Sequence, residues 1–364
     1  MRAFAVFMMV QGHTIHTVLD SNLRTHDYAF FSIWHFMRGF TAPIFMFTAG
    51  VVFTYLLNLN NKPFVENPRV KKGFKRFLLL LGLGYALRYP TYKIFDFSDV
   101  TARQLYLFFS VDALHLIALG ILFIIIFRYV AEKLNVDGKL VYFIATLFFL
   151  LTAPFMKNYN FLAVLPAPIA AYFNYDTGSF FPLFPWAGYV LSGGILGKYL
   201  AQNPGIQRET NFSKFLFLTG LLLLATAYLF INLEHMFYDK GGYWTGSPSV
   251  AFYRLGAVVI LNSAVSFFAQ KLNNIPKIIF LAGRHTLLIY IVHLVVLYGC
   301  VFFPGIYSSS FGQSLNSWQS ILAAIIMICV MSGFVVVVEK AKKHINVKSQ
   351  ILKIRRLIGL PEYS

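Results

Sequence analysis

The run VDALHLIALGILFIIIFRYV, residues 111–130, holds only three charged or imidazole side chains, Asp112, His115 and Arg128. A helix needs about 20 apolar residues to cross the hydrocarbon core of a bilayer. The match of length to thickness reads this stretch as a membrane-spanning helix. Nine further runs read the same way: 3–19, 40–57, 74–89, 139–155, 181–200, 215–233, 250–269, 278–301 and 318–338. The expected fold is therefore all-α, a polytopic membrane helix bundle of about ten transmembrane helices. Residues 1–340 form the membrane domain and residues 341–364 a short basic tail.

Composition supports the bilayer as solvent. Of 364 residues, 58% are hydrophobic and only 12% charged, about half the charged share of a soluble domain, and the mean hydropathy is +0.64. The net charge of +17 does not indicate nucleic acid, because its cations sit between apolar runs rather than clustered on one face of a soluble domain. Residues 1–18 lack a charged leader and a small-residue cleavage site, and read as the first span. The two cysteines, Cys300 and Cys329, fall in apolar runs and exclude a disulfide framework.

Lys and Arg set the orientation, since cytoplasmic connections collect them. With the N-terminus inside, alternate connections carry 22 of the 31 basic residues, and the opposite side carries 6. Both termini are thereby expected in the cytoplasm, as a multi-pass protein of a bacterial inner membrane. Two outer segments, 28–37 and 161–173, are apolar but too short or too proline-broken to span, and read as interfacial or re-entrant.

Ionisable groups at membrane depth cost several kcal/mol unless paired or hydrated, which makes each a functional candidate. They are His13, His16, His35, Arg38, Asp112, His115, Arg254, Arg284, His285 and His293. His13 with His16, His35 with Arg38, and Asp112 with His115 are spaced i, i+3 and share helix faces. Asp112 and His115 read either as a carboxylate orienting a catalytic imidazole or as a structural pair. Arg38 precedes Gly39 and Pro43, where a loosened helix would turn backbone groups to a cavity. On a continuous ninth helix, His285 and His293 lie within about 80° of each other and would face one cavity. No HExxH zinc site, GxSxG elbow or phosphate-binding loop occurs, and no metal is expected.

Four patches carry a family resemblance: RAFAVFMMVQGH at 2–13, RGFTAPIF at 38–45 continuing to Gly50, FFPLFPWAG at 180–188 with Gly193, Gly194 and Gly197, and GRHTLLIYIVH at 283–293. In order and placement they resemble bacterial multi-span acyltransferase-like proteins related to heparan-alpha-glucosaminide N-acetyltransferase, and more distantly the acyltransferase-3 membrane proteins. The resemblance implies acetyl-CoA as acyl donor and an extracytoplasmic sugar or glycan as acceptor. It makes His13 the first catalytic candidate, with His26 a counterpart for the family histidine that follows the first span.

Acyl transfer from a thioester needs a base for the acceptor and a donor or cation for the oxyanion. His13 would be the base or transient acyl carrier, Asp112 with His115 its support or a second base, and Arg38 or His293 the stabiliser of developing charge. Arg38, Arg284 and His285 are the expected substrate-binding residues, and the basic stretch 69–76 would attract CoA phosphates. The alternative is a proton-coupled transporter or flippase for a sugar or lipid-linked substrate, relaying protons through the same histidines. An oligomer is compatible with either reading.

Overall fold

A computed structural model describes residues 1–60, 62–93, 96–237, 246–272 and 274–344. The basic tail expected at 341–364 therefore lies, from residue 345 onward, outside the described residues. The described residues are mainly helical: α1 Arg2–Val18, α2 Ala29–Arg38, α3 Thr41–Asn58, α4 Pro68–Leu87, α5 Ala102–Phe109, α6 Ala113–Lys133, α7 Gly138–Leu151, α8 Ala153–Asn158, α9 Ala167–Ala170, α10 Leu183–Gln202, α11 Thr210–Phe237, α12 Pro248–Lys271, α13 Lys277–Arg284, α14 Thr286–Tyr298 and α15 Ser317–His344. One two-stranded hairpin, Gly299–Cys300 against Phe303–Pro304, follows α14.

All ten apolar runs become helical, but among the described residues six helices are long and apolar enough to cross a membrane, or seven if the bent α13–α14 pair is one span. Three of the expected spans, α1, α4 and α10, are not among them. α1 has 17 residues, about 26 Å at 1.5 Å per residue, a little under the roughly 30 Å core. α4 carries five cations in its first half, and α10 is rich in glycine and mostly buried among other helices rather than facing lipid.

Segment 28–37, expected as a separate short element, instead forms α2, which continues into α3 across only Gly39 and Phe40 to give a 30-residue run, Ala29–Asn58. The break falls before Pro43, whose missing N–H matters little in the first turn of α3. Segment 161–173 is irregular as expected, with one 3-10 turn at Phe161–Ala163 and the single turn of α9.

The bundle centre is the crossing of α3 and α10. Gly50 faces the Val190 carbonyl, Gly193 the Phe47 carbonyl and Gly197 the Val51 carbonyl so closely that a Cβ at any of the three would overlap backbone atoms. Small residues that allow helix backbones to touch are the usual source of packing energy in a bilayer, where water supplies no hydrophobic drive between helices. At one end of α6 and α7, Lys198 reaches Asp137 at 2.8 Å. Burial opposes the charged carboxylate, but hydrogen bonds from Lys198 and from Lys139 outweigh it and hold Asp137 at about 2. That contribution is complete above the ordinary carboxylate range and is lost only as pH falls through about 2.

The ninth run does not form one helix. α13 and α14 meet at His285 with a bend of 80°, and His285 has φ −105° and ψ 28°, outside the helical range. The expectation that His285 and His293 face one cavity fails for this reason: regular 100° steps do not carry across the break.

Candidate active site

The Gly12–His13 turn of α1 and the middle of α14 come together at the bundle interior. His13 Nδ1 lies 3.1 Å from His293 Nε2, with the two ring planes within 20° of each other and their centroids 5.2 Å apart. His293 Nδ1 lies 2.7 Å from the Ile289 carbonyl oxygen. A carbonyl can only accept, so His293 Nδ1 carries the proton and its neutral ring offers Nε2 as an acceptor. His13 must then donate from Nδ1, which leaves the Nε2 lone pair of His13 uncommitted. The tautomers follow from this chain of bonds, and they give His13 the form a general base requires.

His13 lines a cavity of about 220 Å³ together with Arg38, Thr41, Trp186, Arg254 and Tyr290. Arg38 Nη1 donates to His16 Nδ1 at 3.3 Å, and its guanidinium lies over the Trp34 ring at 5.4 Å. Arg254 stands over Trp186 at 5.7 Å. No carboxylate lines the cavity among the described residues, so its field is positive and suits a developing oxyanion. His35 also lines it and stacks on Phe31. His26, on the outer loop, bonds Ser32 at 3.2 Å and does not line it.

A second cavity of about 560 Å³ runs from a basic rim into an apolar interior. Its rim carries Arg2, Arg69, Lys72, Arg76, Arg284 and His285. Arg2 donates to Thr286 Oγ1 at 2.8 Å. His285 pairs with Glu339 at 3.0 Å and Arg284 with the same carboxylate at 3.4 Å. Five fixed cations against one nearby carboxylate make this rim a polyanion acceptor, since guanidinium groups match phosphate geometry.

Asp112 and His115 stand elsewhere. Asp112 is the N-cap of α6, its Oδ1 accepting from the Leu114 amide at 2.9 Å and meeting His115 Nδ1 at 2.9 Å; Arg88 Nε approaches its other oxygen at 3.6 Å. The His115 ring is fully buried and packed so tightly that a Cβ on Gly84 would strike it. Neither residue lines either cavity. The site that brings His13, His293 and Arg38 together thus separates them from Asp112 and His115, and from Arg284 and His285 on the basic rim. Sequence spacing did not single out Tyr290 or Phe45, although Tyr290 precedes His293 by three residues and so shares its helix face.

No curated protein and no solved structure matches this chain. The model of the family described as heparan-alpha-glucosaminide N-acetyltransferase, catalytic, matches residues 1–237. That match covers α1 to α11, with His13 and the basic stretch of α4, while His293 lies beyond it. Because it spans well over half of the 364 residues, the chain belongs to the heparan-alpha-glucosaminide N-acetyltransferase catalytic family.

Proposed function

We propose that this protein is a membrane-embedded acetyltransferase that takes acetyl from acetyl-CoA at the basic cavity and passes it to an amine or hydroxyl of a sugar or glycan at the His13 cavity. The observation that carries the reading is the His13–His293–Ile289 hydrogen-bond chain, which fixes a free imidazole lone pair in a carboxylate-free cavity. Arg2, Arg69, Lys72 and Arg76 hold the CoA phosphates, with Arg284 and His285 beside them, and the apolar interior receives the pantetheine arm. Both chain termini and the basic rim face the cytoplasm, where acetyl-CoA is made. The ten helical runs traverse a bacterial inner membrane, and the acceptor binds from the outer side.

His13 Nε2 takes the proton from the attacking acceptor while the acceptor atom bonds to the thioester carbonyl carbon. Arg38 steadies the oxyanion. As the C–S bond breaks, the proton held on His13 passes to the departing sulfur, giving acetylated acceptor and CoA thiol with no further reactant. Asp112 and His115 act through the fold, by capping α6. Reconstitution in sealed vesicles tests the scheme: with acetyl-CoA only on the face bearing the basic rim, an amino sugar on the opposite face becomes acetylated. Acetylation only when donor and acceptor share a face would overturn the two-sided scheme.

A further inference from the structure

The two cavities follow the same helices and meet end to end. On α1, Arg2 and Ala5 line the basic cavity, and Met9, Gly12 and His13 line the other. On α6 the division falls between Leu114 and Ala113, whereas on α14 Tyr290 turns to the His13 cavity while Leu287, Leu288 and Ile291 on either side of it line the basic one. Phe45 of α3 lines both. Its ring is stacked on Tyr290 at 6.0 Å and 15°, and Tyr290 and Met9 are buried beside it. Phe45, with Tyr290 stacked on it, therefore stands between the basic cavity and the cavity of His13.

Resting on the acetyltransferase reading above, we propose that Phe45, stacked on Tyr290, is the partition the acyl thioester must pass to reach His13, and that this ring sets the longest acyl chain the enzyme transfers. The two rings differ in burial. Tyr290 sits within α14 next to the hydrogen-bonded histidines, whereas Phe45 is half-buried with free volume on both of its sides. A rotation of Phe45 opens a passage the width of one ring, enough for an acetyl group and its thioester. A longer chain must lie where the Phe45 ring stands, and the packed neighbours Met9 and Leu114 do not yield that space. Phe45 is in this sense a specificity-determining residue; it supplies no proton and no charge.

Two measurements on the full-length protein test the partition separately from the chemistry. In the first, Cys300 and Cys329 are replaced by Ala, and Ala42→Cys places a thiol in the His13 cavity. A water-soluble maleimide applied from the basic-rim face is expected to label it at least tenfold faster in Phe45→Ala than with Phe45 present. In the second, thiol release is compared for acetyl-, butyryl- and octanoyl-CoA with an amino-sugar acceptor. Phe45→Ala is expected to raise the butyryl-to-acetyl ratio of kcat/KM about tenfold, with Phe45→Leu in between. Unchanged labelling, or an unchanged acyl preference in variants that still transfer acetyl, overturns the proposal. If the wild type transfers no acetyl group, the acetyltransferase reading fails and the labelling experiment alone decides whether Phe45 closes the passage. Phe45→Leu covers the case in which the alanine variant does not fold.

Discussion

His13 and His293 stand 280 positions apart in the chain, yet their facing nitrogens meet at 3.1 Å. The bond from His293 to the Ile289 carbonyl makes the arrangement directional: the backbone of α14 dictates the tautomer of His293, and His293 dictates that of His13. An oriented imidazole with its lone pair free is what separates a catalytic histidine from a merely buried one.

His293 is therefore a positioning residue, and its loss should act through the proton state of His13. His293→Phe keeps an aromatic ring at this position and removes the acceptor; kcat should fall by about 10- to 100-fold, less than the roughly 10²- to 10⁴-fold contribution of a general base itself. KM for acetyl-CoA should hardly move, and the pH–rate profile should shift along with kcat. A loss of kcat with an unshifted pH profile would make His293 a packing residue.

The basic rim should govern donor affinity and leave turnover alone. Arg76→Gln, removing a cation exposed at the rim, is expected to raise KM for acetyl-CoA about tenfold at low salt, the scale of one charge-assisted hydrogen bond. The effect should shrink as ionic strength rises, because exposed charges are screened. Titration of CoA against wild type and variant reads the difference directly.

The α3–α10 crossing should tolerate no side chain. Gly193→Leu places a branched side chain where the Phe47 carbonyl already stands, and such overpacking with forced backbone separation belongs to the exceptional class above about 4 kcal/mol. Loss of monodisperse protein in detergent is expected. Gly333→Ala, where a Cβ would meet nothing within 4 Å, should not lower the melting temperature, since alanine favours a helix interior over glycine.

Asp112 should matter to stability more than to the reaction. Asp112→Ala removes the N-cap of α6 and the partner of His115 and Arg88. Loss of a cap alone costs about 0.5–2 kcal/mol, and stranding the buried imidazole adds to it. Asp112→Asn keeps the capping acceptor and should recover most of the melting temperature. If Asp112→Asn melts normally yet loses more than about 100-fold in kcat, on the scale of general-base catalysis, Asp112 acts in the chemistry.

How much of this was legible in the sequence depends on the range of each interaction. The helices were legible because bilayer thickness imposes a length on apolar runs. Asp112 with His115 was legible as a pair because i, i+3 residues meet on any helix, although its role as an N-cap was not singled out. The break at His285 was hidden: Leu281 to Leu294 is apolar on both sides of Arg284 and His285, with no proline to end the helix. The meeting of His13 with His293, and the sharing of Phe45 between two cavities, depend on how distant helices pack, which periodicity along one helix does not encode.

Thiol release from acetyl-CoA decides whether His13 is the base of an acetyl transfer. Purified wild type and His13→Ala are compared in nanodiscs, with and without a panel of amino sugars and glycans, after CoA binding has been measured for both. Acceptor-dependent release by the wild type is expected, with a loss of about 10²- to 10⁴-fold in His13→Ala and CoA binding retained. Equal turnover by the two proteins would contradict the assignment of His13, and a folded wild type that neither binds CoA nor releases thiol would contradict the acetyltransferase reading itself.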